Sequence, residues 1–127
     1  MTFKEAIEAG DIDAALANLA PDVSFNSPVA HKPFEGKEAV SGVLRAVSQT
    51  FEDFEYTDEL VDGDTHALVF KARVGDKQLQ GLDWLRLDAD GLVSELTVMI
   101  RPLSGIMALG EAMAPKVARS SGSVRRM

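Results

Sequence analysis

The stretch KQLQGLDWLRLDADGLVSELTVMIRP, from Lys77 to Pro102, decides the fold. Two apolar runs flank Asp88, Ala89, Asp90 and Gly91. Asp and Gly in such a cluster form turns, so the stretch predicts a long β-hairpin. By the two-residue period of a strand, Leu79, Gly81, Asp83, Leu85 and Leu87 share one face of its first arm. Leu92, Leu96, Val98 and Ile100 share a face of the second. Asp83 therefore stands in the middle of an apolar row. A carboxylate there costs free energy unless it is paired, protonated or solvated by a cavity. It is the first functional clue in the chain.

Working outward toward the N-terminus, Gly75 and Asp76 form a tight turn back to Thr65–Val74. That segment is apolar on both faces, so it is expected to be a central strand. Asp62, Gly63 and Asp64 make another turn, preceded by a strand with Phe54, Tyr56 and Leu60 on one face. From Lys37 to about Phe51 the spacing changes to helical, with Val40, Val43, Leu44 and Val47 in register. Pro28 to Gly36 reads as a loop. Asp22 to Ser27 reads as a strand with Val23, Phe25 and Ser27 aligned.

Two short helices come first. One covers Thr2 to Ala9, with Phe3, Ala6 and Ile7 on one face and Gly10 as its C-cap. The other is capped by Asp11 or Asp13 and is expected to end near Ala20 and Pro21. Beyond the hairpin, Leu103 to Ala114 predicts a helix using Leu103, Met107 and Met113 as apolar contacts. Residues 116–127, with Lys116, Arg119, Arg125 and Arg126, read as a flexible basic tail on a domain of residues 1–115. A contact with an acidic partner is the alternative for that tail. Helices gathered before an antiparallel meander indicate an α+β fold.

The chain has 127 residues, which suits one domain. It contains no cysteine, which excludes disulfides, thiolate catalysis and cysteine-ligated zinc. The same absence fits a cytoplasmic location. The net charge of −7 argues against nucleic acid as a partner. No apolar run approaches the roughly 18 residues of a membrane span, so no membrane is expected as a partner. Two separated histidines make a catalytic metal unexpected, and no phosphate-binding or dinucleotide glycine motif is present. The expectation is a protein that works without a cofactor.

The order of elements, together with AGDIDAALANLAPDVSF, PFEGKEAV and LRLDADGLVSELTVMIRPL, resembles the nuclear-transport-factor-2-like superfamily. Within it the SnoaL-like proteins and ketosteroid isomerases are most similar. The resemblance covers roughly Phe3 to Ala114. It implies a curved antiparallel sheet wrapping N-terminal helices into a cone-shaped cavity, and pairing of two copies through the outer sheet face. The fold alone does not decide function.

Residue by residue, the resemblance to ketosteroid isomerase is mixed. That family's aspartate base precedes a Pro-Val step, and here the matching position is Ser27, before Pro28 and Val29. Its oxyanion-hole tyrosine matches Phe3, which has no hydroxyl. Its second oxyanion donor is a protonated aspartate, and that position matches Asp83. A serine is far too weak a base near neutrality, so steroid isomerisation is not expected.

Asp83 has two readings: a buried aspartate tied to backbone or arginine, or a polar group in a cavity, where burial raises its pKa and makes it a donor. His31 is either a surface loop residue or a replacement for the missing base. Tyr56 is either a core residue with its hydroxyl satisfied or a cavity hydroxyl replacing the one lost at Phe3. Asp83, His31 and Tyr56 are thus the catalytic candidates. Phe3, Phe25, Ser27, Phe54, Leu85, Leu96, Val98, Ile100 and Met107 are the expected ligand contacts. Leu82, Trp84 and Arg86 alternate away from Asp83, where an aromatic suits a homodimer interface.

The function expected is uptake of a small, mostly apolar molecule. Its enzyme version is a cofactor-free isomerase, cyclase or dehydratase. The alternatives are a binder without chemistry and a dimerising interaction module whose core is filled.

Overall fold

The computed structural model describes the backbone of residues 1–121 and the side chains of residues 1–116. Helix α1 covers Phe3–Glu8. It begins with a reciprocal cap: Thr2 Oγ1 accepts from the Glu5 amide at 3.1 Å, and the Thr2 amide donates to Glu5 Oε1 at 2.9 Å. Helix α2, Ile12–Leu16, is capped by Asp11 Oδ1, which accepts from the Ala14 amide at 3.1 Å. It ends earlier than the sequence predicts. Leu19 and Ala20 belong instead to strand β1, Leu19–Asn26. Partnering explains the difference: Leu19 pairs with Val93, and the Val93 amide donates to the Asn18 carbonyl at 2.8 Å. Sheet contacts made far along the chain override a helical spacing.

The expected loop holds a two-residue strand, β2 (Phe34–Glu35), antiparallel to β1. Helix α3 covers Lys37–Ser48 and buries Val40, Val43 and Leu44, each contributing about 1.5–3 kcal/mol if fully buried. Then come β3 (Glu52–Asp62), β4 (Thr65–Val74), β5 (Lys77–Leu87) and β6 (Val93–Arg101). Helix α4 runs from Leu103 to Ser121, with Pro115 inside it. It passes the expected end at Ala114, although a proline ordinarily stops a helix just before itself. Lys116, expected to open the tail, donates to Thr50 Oγ1 at 2.7 Å. Of the rest of that expected tail, the backbone of residues 117–121 continues α4, and residues 122–127 lie outside the described residues.

The six strands form one curved sheet in the order β2-β1-β6-β5-β4-β3. The hairpin of β5 and β6 occupies its centre, as the Lys77–Pro102 pattern predicts. All neighbours are antiparallel except β1 and β6, which run parallel. On β5, Leu79, Gly81, Asp83 and Leu85 are buried and Leu87 is half-buried. On β6 the inward set is Val93, Leu96, Val98 and Ile100, so Val93 replaces Leu92. A register shift between Arg86 and Leu87 puts Val93 opposite Leu87. Such a shift adds a residue to one strand and resets its inward face.

All four helices pack on this inward face, in a core that includes Phe3, Leu16, Val40, Leu68, Leu96 and Leu109. Helix α4 lies against the sheet through Gly105, where an added Cβ would sit 2.8 Å from Leu79 Cβ. Leu109 and Met113 follow at four-residue spacing and are buried. Leu103 and Met107, each two positions from Gly105 and about 200° around the helix, are 71% and 56% exposed. They are not the core contacts that the sequence suggests. The opposite sheet face carries a cross-strand apolar row of Val69, Leu82 and Met99.

Candidate functional site

The site is built on an asymmetry in the sheet. Tyr56 pairs with Phe70, and Phe70 pairs with Gly81. Because Gly81 has no side chain, the Phe70 ring lies over it; an added methyl group would overlap the ring. Phe70 then stacks on Phe54 with centroids 4.9 Å apart and meets Tyr56 edge-on at 6.4 Å. This aromatic layer directs the Tyr56 hydroxyl across β4. It donates to Asp83 Oδ2 at 2.7 Å.

Asp83 is flanked by Leu68 on β4 and Val98 on β6, and is 9% exposed. Among the described residues the Tyr56 hydroxyl is the one hydrogen-bond donor to its carboxylate. Burial pushes the Asp83 pKa up to about 6, while the Tyr56 hydrogen bond pulls it down. At pH 7 the carboxylate then outnumbers the acid by about ten to one. Burial, followed by the negative charge of Asp83, holds the Tyr56 phenol far above its ordinary range. Tyr56 is therefore a permanent donor, and Asp83 accepts its hydrogen bond. The donor role that the family resemblance implies for Asp83 requires the protonated form, which is the minority above pH 6.

These two side chains line a cavity of about 420 Å³ between the sheet and the helices. Phe3, Phe25, Ser27, Phe54, Leu96, Val98 and Ile100 also line it. Three expected site residues do not. His31 is exposed on the loop after β1 and lines an open depression formed by residues 26–31, of which Ser27, Pro28 and Val29 also line the cavity while His31 itself does not. Leu85 is buried in the filled part of the core, paired with Leu96. Met107 points outward for the helical reason given above.

The sequence reading missed Glu8, Val47, Phe51 and Leu109, all on the cavity wall, which Met113 also lines. All but Glu8 belong to apolar stripes, and a stripe reads the same whether it faces a filled core or a void. Glu8 pairs with Lys4 at 3.1 Å, and Lys4 Nζ lies 5.9 Å from the Tyr56 ring centre. The i,i+4 spacing of Lys4 and Glu8 was the available signal, but it describes any solvated helix face. Ser27 Oγ accepts from the Val29 amide at 3.1 Å, so it also stabilises the turn that it lines. Among the described residues no group of three His, Asp or Glu side chains is placed to hold a metal.

The arrangement offers one buried carboxylate, one permanent donor beside it and otherwise apolar walls. The chain belongs to the SnoaL-like domain family, whose model matches residues 2–96. Its structure is similar to that of a steroid delta-isomerase from Pseudomonas aeruginosa, with 41% identity, TM-score 0.87 and coverage of 95% of this chain and 90% of that one. It is also similar to an uncharacterized bacterial protein with a cystatin-like fold from Silicibacter pomeroyi DSS-3, at 33% identity, TM-score 0.85 and coverage of 90% and 81%. An NTF2-like protein of unknown function from Mesorhizobium loti shares the fold at 17% identity, with TM-score 0.70 and coverage of 79% and 85%. Comparison with curated protein sequences gives no significant match. No helix among the described residues is long and apolar enough to cross a membrane.

Proposed function

We propose that this protein takes up a small, mostly apolar molecule in the cavity and anchors it on Asp83 and Tyr56. The observation that carries the reading is the Asp83 carboxylate, buried among apolar walls yet reachable from a void of about 420 Å³. A buried polar group with unused acceptor capacity is satisfied when a ligand donates to it. In the enzyme version, Asp83 removes a proton from carbon; in an isomerase it returns it at another carbon, in a cyclase to the alkoxide left when the carbanion closes on a carbonyl, and in a dehydratase to the departing hydroxyl, which leaves as water. Tyr56 holds the carboxylate in place and keeps its basicity moderate.

Steroid isomerisation is not part of this reading. The matched base position is Ser27, its hydroxyl engaged with Val29, and the matched phenol position is Phe3. The same two residues support a second reading, a binder that performs no reaction.

The working form is a homodimer. The outer row of Val69, Leu82 and Met99, with Met99 46% exposed, supports pairing through that face, as does Leu60, 71% exposed, which the register shift between Tyr56 and Asp58 moves from the expected Tyr56 face to this one.

The test uses a neutral naphthalene fluorophore and a variant that fills the void, Val47→Trp. The wild type is expected to bind one fluorophore per chain and the variant none, with both folded by circular dichroism. A wild type that binds none contradicts the reading.

A further inference from the structure

Among the described residues the titratable groups on the cavity wall are the carboxyl groups of Asp83 and Glu8 and the phenol of Tyr56, so that the two that ionise near neutral pH are both acids. Among the described residues no Lys, Arg or His lines the cavity. Lys4, the nearest basic residue by contact, is paired with Glu8 and is not part of the wall. Aromatic rings make up much of the remainder: Phe3, Phe25, Phe51, Phe54 and Tyr56. A ring presents a negative π face, which attracts a cation but not an anion. Lys4 Nζ, 5.9 Å from the Tyr56 ring centre, already uses one such ring from outside.

Asp83 adds a second, independent requirement. It is buried, and among the described residues its hydrogen-bond partner is the neutral Tyr56 hydroxyl, with no cation paired to it. A neutral donor can fill an unused lone pair. Only a cation also offsets the charge, and it does so where the low dielectric strengthens the attraction. The chain's net charge of −7 favours the approach of a cation as well.

We infer that the molecule this cavity takes is a lipophilic amine or ammonium ion, its cationic head against Asp83 and within the aromatic walls. The inference rests on the reading of the cavity as a ligand site and names the class of ligand. Anions are excluded by Asp83 and Glu8. Because the cation binds the ionised carboxylate, affinity falls as pH drops below about 6, approaching tenfold per pH unit. Tyr56 stays neutral throughout. Glu8, paired with Lys4 and exposed, is the other carboxylate facing the cavity; among the described residues α2, α3, α4, β1 and β6 contribute no titratable wall residue.

Equilibrium dialysis of the full-length protein with three matched probes tests this. Benzyltrimethylammonium carries a permanent charge, neopentylbenzene is its neutral carbon isostere, and phenylacetate is an anion. At pH 8 the ammonium is expected to bind about tenfold more tightly than the isostere, and phenylacetate not at all. Asp83→Asn is expected to remove the ammonium's advantage over neopentylbenzene, with circular dichroism showing that the variant is folded. Neopentylbenzene binding as tightly as the ammonium, or an ammonium affinity indifferent to Asp83→Asn and to pH, overturns the amine assignment and leaves the ligand cavity standing. Binding of none of the three overturns both.

Discussion

The Tyr56 hydroxyl reaches Asp83 Oδ2 at 2.7 Å from a strand two places away in the sheet, over a phenylalanine that lies flat on a glycine. Each part of that relationship has a measurable consequence.

Asp83 has a pKa of about 6 in the folded chain, above its ordinary value of 3.8. Between those two values the folded state binds more protons than the unfolded state, so stability contributed by this group falls as pH rises through that window. Below pH 3.8 the contribution is neutral, and above pH 6 the penalty is fully present. Asp83→Asn has no ionisation to penalise. Relative to wild type it should gain about 2–3 kcal/mol on going from pH 4 to pH 7.5. Urea unfolding at the two pH values measures this, and a difference that does not change with pH would count against burial of the charge.

Gly81→Ala should destabilise the protein by about 1–3 kcal/mol, because its methyl group overlaps the Phe70 ring. It should also shift the Tyr56 ring resonances, since Tyr56 packs edge-on to Phe70. Unfolding curves and NMR spectra of the variant check both effects. Unchanged stability would mean that the aromatic layer yields easily and does not position Tyr56.

The architecture was legible because its evidence is periodic and local. The alternation from Leu79 to Leu87 and the turn at Asp88–Gly91 sufficed to place the hairpin and to point Asp83 inward. What was not legible depended on partners distant in the chain. Leu19 joins a strand because Val93 receives it. Asp83 accepts rather than donates because Tyr56, 27 residues earlier, lies within reach. His31 is close to Ser27 in sequence, but Ser27, Pro28 and Val29 line the cavity and His31, exposed, does not. Met107 and Met113 looked equivalent on paper; the contact of Gly105 with Leu79 fixes which side of α4 faces inward.

Replacing Leu82 by Lys should leave the fold intact and split the proposed homodimer, because it sets a charge at the centre of the Val69, Leu82 and Met99 row. Sedimentation velocity at micromolar concentration should show a dimer for wild type and a monomer for the variant. A monomeric wild type would refute the pairing.

The most direct measurement of the Asp83–Tyr56 site is the NMR titration of the Asp83 carboxyl carbon, in wild type and in Tyr56→Phe. The predicted midpoint is about 6 in wild type. It should be higher in Tyr56→Phe, because that variant keeps the burial and loses the hydrogen bond that favours the charged form. A midpoint near the ordinary aspartate value of 3.8 in both proteins would place Asp83 in water and contradict the account.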